Sequence, residues 1–443
     1  MSSAMVVFRM PSERTADSIS ASNFDRLLLT SVMLLLSGLF FLSDDHRYGI
    51  PFLMEGVAAV SLLFFAYYAV FHRERMERVD WYVAFLALMV FIVPVLFSCL
   101  YFKQPFEFGI LEERRTLLYF SYFIPLLMLR KKSYSTEDIE SVLGVVFVVG
   151  LIWSALNAYE LIPRNQGFSF STHTEHFAEG FQSMDDRFAT RFLGGNFMIF
   201  LYVYFLLAQG KFGKALLPVI LTVLYMVFIN QTRSIAAIAI ISMLAIVVIR
   251  LKKYHLNLVA LFFVPIFMML LYFLYFLYAY VFAEPVFFYD VYRNMEFNLL
   301  FRDVIRDFFM PHGHLSLQFN GGFKTYFGMN VYTADMGLVG YLYKYGFFYI
   351  PLIAIYVAVV GMLYRRYHND FIIIMMAIFI AVCLTIPFGE HISRMAGEFA
   401  ILMTLIRIQG DVYGQKTVKY IARVRRGGAS RPSHTADGAN AFA

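Results

Sequence analysis

Apolar runs of membrane-spanning length recur along almost the whole chain and leave little of its 443 residues for anything else. A helix needs about 20 apolar residues to cross the hydrocarbon core, and a backbone in lipid must satisfy its polar groups internally. Runs near 26–43, 50–71, 81–102, 115–129, 142–162, 192–208, 215–230, 234–249, 256–282, 337–363, 371–388 and 395–409 predict an all-α polytopic membrane protein with about 12 transmembrane helices. Charged residues make up 15% of the chain, against about 25% in soluble domains, and Phe 50 and Tyr 30 supply interfacial rings. No soluble domain is left over, so any chemistry must use spans and loops.

The connections alternate in charge. Basic clusters lie at His72 to Arg78, Arg130-Lys131-Lys132, Lys211 to Lys214, Arg250 to Lys253 and Arg365-Arg366. A tail with Lys416, Lys419, Arg423, Arg425, Arg426 and Arg431 joins them. All fall on one side if the span count is even, and the positive-inside rule makes that side cytoplasmic, with both termini on it. The expected layout is a cytoplasmic segment 1–25, a membrane domain 26–409 and a basic tail 410–443. The first run ends at Ser43-Asp44-Asp45 without a small-residue cleavage site, so it reads as a span, not a signal peptide. The net charge of +6 sits at span ends and is no nucleic-acid signal. Cys99 and Cys383 lie in apolar runs and read as lipid or core thiols.

The external side receives two large loops, 163–191 and 283–336. The second is polar, basic and contains histidine. Within it, Asn298 to Phe309 places Leu300, Val304 and Phe308 opposite Arg302 and Arg306 at a helical period, which predicts an amphipathic surface helix ended by Pro311 and Gly313. Gly321-Gly322 mark a second break.

Four constellations carry chemistry. Arg233, in Asn230-Gln231-Thr232-Arg233-Ser234, sits at a tight turn between two runs. Its forked guanidinium suits a phosphate; snorkelling to headgroups is the plainer account. Arg191 opens Arg191-Phe192-Leu193-Gly194-Gly195-Asn196, where paired glycines permit close approach; an ordinary end-of-span arginine is the plainer account. His312 and His314 precede Asp335, which lies where the chain re-enters the membrane. A partly desolvated carboxylate there can act as a general base. A helix dipole favours an aspartate at that place without any catalysis, and the histidines equally suit packing. Two histidines alone are a weak metal signal. Glu390, His391 and Arg394 form a short external turn whose plainer reading is solvation. His173-Thr174-Glu175-His176 lacks a third ligand at diagnostic spacing, and the glycosylation pattern at Asn230 has little room beside the membrane.

Taken together, these motifs resemble the O-antigen polymerase and O-antigen ligase superfamily, over about 190–365 in detail and in whole-chain topology. The carriers are Arg191 to Asn196, Thr232-Arg233-Ser234, the arginine-bearing helix leading to Pro311-His312-Gly313-His314, and Asp335-Met336-Gly337-Leu338-Val339-Gly340 with Tyr343 to Gly346. The resemblance implies a bacterial inner-membrane glycosyltransferase that uses undecaprenyl-pyrophosphate-linked oligosaccharides at the periplasmic face. It implies no metal and no cofactor, and a separate chain-length regulator protein as a partner. Arg191 and Arg233 are then the pyrophosphate ligands, with Arg302 and Arg306 as helpers, and the base comes from Asp335, His312 or His314. Ligases of the superfamily have a histidine at the re-entry point where this chain has Asp335, which favours a polymerase over a ligase. A lipid-linked sugar flippase or transporter also suits such a span count, but it needs ionisable groups mid-span; Lys344 and Glu398 are the main examples here.

Overall fold

The computed structural model describes residues 19–20, 22–41, 49–129, 132–159, 161–162, 196–230, 232–252, 258–282, 291–316, 318–367, 369–388 and 395–409. Arg191 and the turn with Glu390, His391 and Arg394 lie outside the described residues, as do 410–443. Among the described residues the regular structure is helical apart from a two-residue parallel pairing of Ile19–Ser20 with Lys132–Ser133 and an isolated bridge between Phe41 and Ile50.

In chain order the α-helices are α1 (Asn23–Leu36), α2 (Leu53–Phe71), α3 (Arg78–Phe102), α4 (Phe106–Glu113), α5 (Phe123–Leu129), α6 (Thr136–Ala158), α7 (Asn196–Ala208) and α8 (Phe212–Tyr225). There follow α9 (Arg233–Lys252), α10 (Leu258–Val281), α11 (Val291–Arg306), α12 (Gly322–Phe327), α13 (Gly337–Tyr345), α14 (Tyr349–Arg366), α15 (Asp370–Thr385) and α16 (Ala396–Gln409). Five stretches are long and apolar enough to cross a membrane: Leu53–Phe71, Arg78–Phe102, Thr136–Ala158, Phe212–Asn230 and Gly337–Arg366. Asn196–Ala208, Ser234–Arg250, Phe267–Val281 and Asp370–Thr385 are apolar but shorter. The fold is therefore that of a helical membrane protein with five candidate spans among the described residues, fewer than the runs suggest. One run changes character: 115–129 begins as a 3₁₀-helix over Arg114–Tyr122, packed against α2 and α16, before α5 starts. Such a run exceeds the usual three or four residues of 3₁₀ structure.

Helix α7 is buried at every residue from Asn196 to Ala208 except Tyr202, which is half-buried, and its apolar residues show no amphipathic stripe. A helix apolar all round belongs in a core. It packs among α6, α8, α9 and α15.

Helix α3 organises the rest. Glu77 and Asp80 form a reciprocal capping box at its start. Pro94 lies inside it and has no N–H to give the carbonyl of Val90, four residues earlier. The Tyr345 hydroxyl supplies that bond instead, at 3.1 Å. So the residue that interrupts the α3 ladder also fixes the end of α13.

The amphipathic helix exists with different bounds from those expected. α11 begins at Val291 and ends at Arg306. Leu300 and Val304 are buried as predicted, beside Phe297 and Phe301. Phe308 departs from prediction: it stands past the helix end at φ 51, and is 88% exposed. Left-handed backbone at Phe308 and Phe309 turns the chain out of the helix before Pro311 is reached. The second break holds, with Gly321 at φ +76 just before α12.

Candidate functional site

The segment 307–316 crosses one end of the bundle as a strap, and backbone hydrogen bonds hold it. The C-terminal carbonyls of a helix lack intrahelical donors. Here the Tyr343 and Lys344 carbonyls of α13 accept from the His312 and Gly313 amides at 2.9 and 3.2 Å. Phe347 N donates to the Phe309 carbonyl at 2.8 Å. Gly313, at φ +76, lies against the backbone of α3, where an added Cβ would overlap Pro94 O and Ser98 N. Gln104, buried between α3 and α4, fixes the strap from the other side. Its amide donates to Ser98 Oγ at 2.7 Å and to the His314 carbonyl at 3.0 Å, and its oxygen accepts from Ser316 N at 3.0 Å.

The strap separates the two histidines into different environments. His312 is fully buried. Its ring stacks on Tyr343 with centroids 4.4 Å apart and meets Tyr101 edge-on at 4.2 Å. Nε2 lies 2.8 Å from Asp307 Oδ2. That carboxylate also accepts from Tyr101 Oη at 2.8 Å and from Arg306 Nε and Nη2 at 2.9 and 3.1 Å. The Arg306 guanidinium, aided by His312 and Tyr101, holds the Asp307 carboxyl well below the usual carboxylate range. An acceptor loaded in this way positions its donors and does not take up protons. His312 thus acts as a packed wedge with its ring fixed.

His314 is 24% exposed, and its Nδ1 lies 3.0 Å from Glu113 Oε1. Lys344 Nζ is 2.7 Å from the same oxygen, with both of those side chains buried. Lysine only donates, so Oε1 must accept, and His314 Nδ1 carries the hydrogen. Nε2 then holds the lone pair. Burial lowers the affinity of His314 for a proton and so does Lys344, but the Glu113 hydrogen bond and the Glu112 and Glu113 charges outweigh both, so the imidazole is more basic than usual. Ser316 Oγ donates to Glu112 at 2.8 Å and ties the second glutamate to the strap. A histidine oriented by a carboxylate, whose far nitrogen has no partner among the described residues, is the arrangement of a general base.

The other expected residues separate. Asp335 sits in a 3₁₀ turn, Thr333–Asp335, before α13. Among the described residues its side chain makes no hydrogen bond or ion pair, and it meets neither histidine. With Glu296, its charge helps burial raise the Tyr332 hydroxyl. The helix-dipole account of Asp335 fits this position. Arg306 is present but engaged, with Nη1 3.1 Å from Asp303 and its remaining nitrogens on Asp307. Arg302 is 56% exposed, with Nε 3.7 Å from Asp303. Arg233 opens α9, and its side chain lies outside the described residues. Sequence reasoning missed Glu113, Asp307, Gln104 and Tyr101. Glu112-Glu113 stands at the edge of an apolar run just as Asp335 does, so the same criterion applied there would have found it. No family model, curated protein or solved structure matches this chain.

Proposed function

We propose that this protein is a membrane glycosyltransferase, a polysaccharide polymerase. It moves a growing glycan from undecaprenyl pyrophosphate onto the sugar of a lipid-linked repeat unit at the periplasmic face. The observation that carries the reading is the Glu113–His314 pair, a carboxylate-oriented and partly exposed imidazole beside apolar helices of membrane length. In the reaction the acceptor hydroxyl oxygen bonds to the anomeric carbon of the donor. Its proton passes to His314 Nε2. The bond between the anomeric carbon and the phosphate oxygen breaks, and the lipid pyrophosphate leaves with the electron pair. Guanidiniums suit that growing negative charge. Arg191 and Arg233 take this role from the family resemblance.

In proteoliposomes, purified protein lengthens native lipid-linked repeats with no nucleotide sugar added. His314→Ala lowers turnover by about 10²–10⁴-fold with little change in KM, and Arg233→Ala abolishes lengthening. Strict dependence on a nucleotide sugar would sink the proposal.

The base being a histidine favours one second reading, the ligase that passes finished glycan to a lipid anchor. Surface polysaccharide from a deletion strain separates the two. Loss of a polymerase leaves single repeats on the anchor, and loss of a ligase leaves none.

A further inference from the structure

The end of α11 carries Arg302, Asp303, Arg306 and Asp307, whose formal charges cancel. Arg306 bridges both aspartates, with Nη1 3.1 Å from Asp303 Oδ1 and Nε 2.9 Å from Asp307 Oδ1. A pyrophosphate gains from an excess of cations, and this patch has none. Fixed donors and acceptors side by side instead suit neighbouring hydroxyl groups, each of which both donates and accepts.

Aromatic rings border the same patch. Tyr101 Oη donates to Asp307 Oδ2 at 2.8 Å and accepts from Arg306 Nη2 at 3.0 Å. Tyr326 Oη donates to Tyr101 Oη at 3.1 Å. The Tyr326 ring stands edge-on to Phe102 at 5.2 Å and is 44% exposed. Among the described residues Asp307 Oδ1 accepts only from Arg306 Nε, so it keeps acceptor capacity. A tyrosine of the interfacial belt needs no such network, because its hydroxyl points to water. Here the hydroxyl is drawn into the arginine–aspartate mesh, beside a ring that is still open.

The geometry points to a saccharide-binding subsite formed by Tyr326, Tyr101, Arg306 and Asp307. A pyranose places its C–H face on the Tyr326 ring and its hydroxyl edge on Asp307 Oδ1 and the Arg306 guanidinium. The polymerase reading supplies the ligand, the acceptor end of a glycan; the side-chain network supplies the place.

Saturation-transfer NMR on the full chain in lipid nanodiscs tests this directly. The probes are the methyl glycosides of glucose, galactose, mannose, rhamnose and N-acetylglucosamine. Magnetisation transfers to the ring protons of at least one of them. It falls about fivefold or more in Tyr326→Ala and in Asp307→Asn, and it persists in Lys324→Ala, two residues away on α12. Thermal unfolding of each variant confirms that the fold is retained. No transfer to any probe overturns the subsite. Equal transfer in native protein and Tyr326→Ala also overturns it and returns Tyr326 to the lipid belt. Transfer that depends on Tyr326, in a protein that does not lengthen lipid-linked repeats, upholds the subsite and removes the polymerase reading.

Discussion

Glu113, Lys344 and His314 show how one buried carboxylate can serve both stability and chemistry. Lys344 and Glu113 are both almost wholly buried and 2.7 Å apart. Breaking a buried ion pair from one side strands the other charge, which costs roughly 3–5 kcal/mol, whereas replacing both partners by neutral groups costs far less. Lys344→Met and Glu113→Gln alone should therefore each lower the unfolding midpoint strongly, and the double variant should recover most of the loss. The double variant also removes the carboxylate that raises the His314 proton affinity, together with the smaller opposing effect of Lys344. A base works only when unprotonated, so activity rises with pH through the imidazole's own value, which in the native protein lies above its ordinary 6.5. In the double variant that acidic limb moves to lower pH. A limb that stays in place would mean that His314 is not the group titrating.

At the scale of the element, the strap is the part that places both histidines, and Gly313 is its tightest point. A side chain there is strained twice, by a φ of +76 and by overlap with the α3 backbone at Pro94 and Ser98. Gly328 has a similar φ of +75 with nothing within 4 Å of an added Cβ, so it isolates the backbone part of that strain. Gly328→Ala should cost roughly 1 kcal/mol. Gly313→Ala should cost clearly more and should also cut turnover, because His314 moves with the strap. Equal effects on denaturant unfolding would show that the strap does not seat in α3. Gly313 also shows where the sequence stops being readable. Its neighbours invite a loop, and a break at Pro311 and Gly313 is legible from local chemistry. That the loop closes over a proline-interrupted helix more than 200 residues earlier is not. The helices themselves are legible because lipid-length apolar runs admit few other structures. The histidines are legible as candidates, yet their partners Asp307 and Glu113 are assigned by packing. One of those lies five residues away past an unforeseen left-handed turn, and the other belongs to α4, a helix hidden in an apparently plain loop. Asp335 stands out by position, and a helix dipole fits it there.

For the whole molecule, the strongest constraint is that the polar networks divide between the two ends of α3. At its start, Glu77 binds Arg366 at 2.8 Å and Arg407 at 3.0 Å, and Arg407 reaches Asp80 and Tyr122. Glu140 pairs with Lys211 and Lys214 in the same manner. These contacts join basic connections that charge alternation alone assigns to one side: 72–78 with 365–366, and 130–140 with 211–214. At the far end of α3, Tyr101 and Gln104 hold the strap, and α4 joins the connection 103–114 to the connection 283–336. Asp80 and Tyr101 are 21 positions apart in one helix, about 30 Å along its axis, which is the thickness of a hydrocarbon core. The two networks therefore suit opposite faces of a bilayer, and the positive-inside rule predicts the basic one inside. The orientation can be measured in a Cys99→Ser/Cys383→Ser background. Lys324→Cys, exposed beside the saccharide patch, should react with a membrane-impermeant thiol reagent in intact spheroplasts. Arg73→Cys, exposed at the other end, should react only after permeabilisation. The reverse pattern would put the His314 site on the cytoplasmic side, where a lipid-linked glycan polymerase has no exported substrate. Labelling of both from one side would break the division into two ends on which the topology rests.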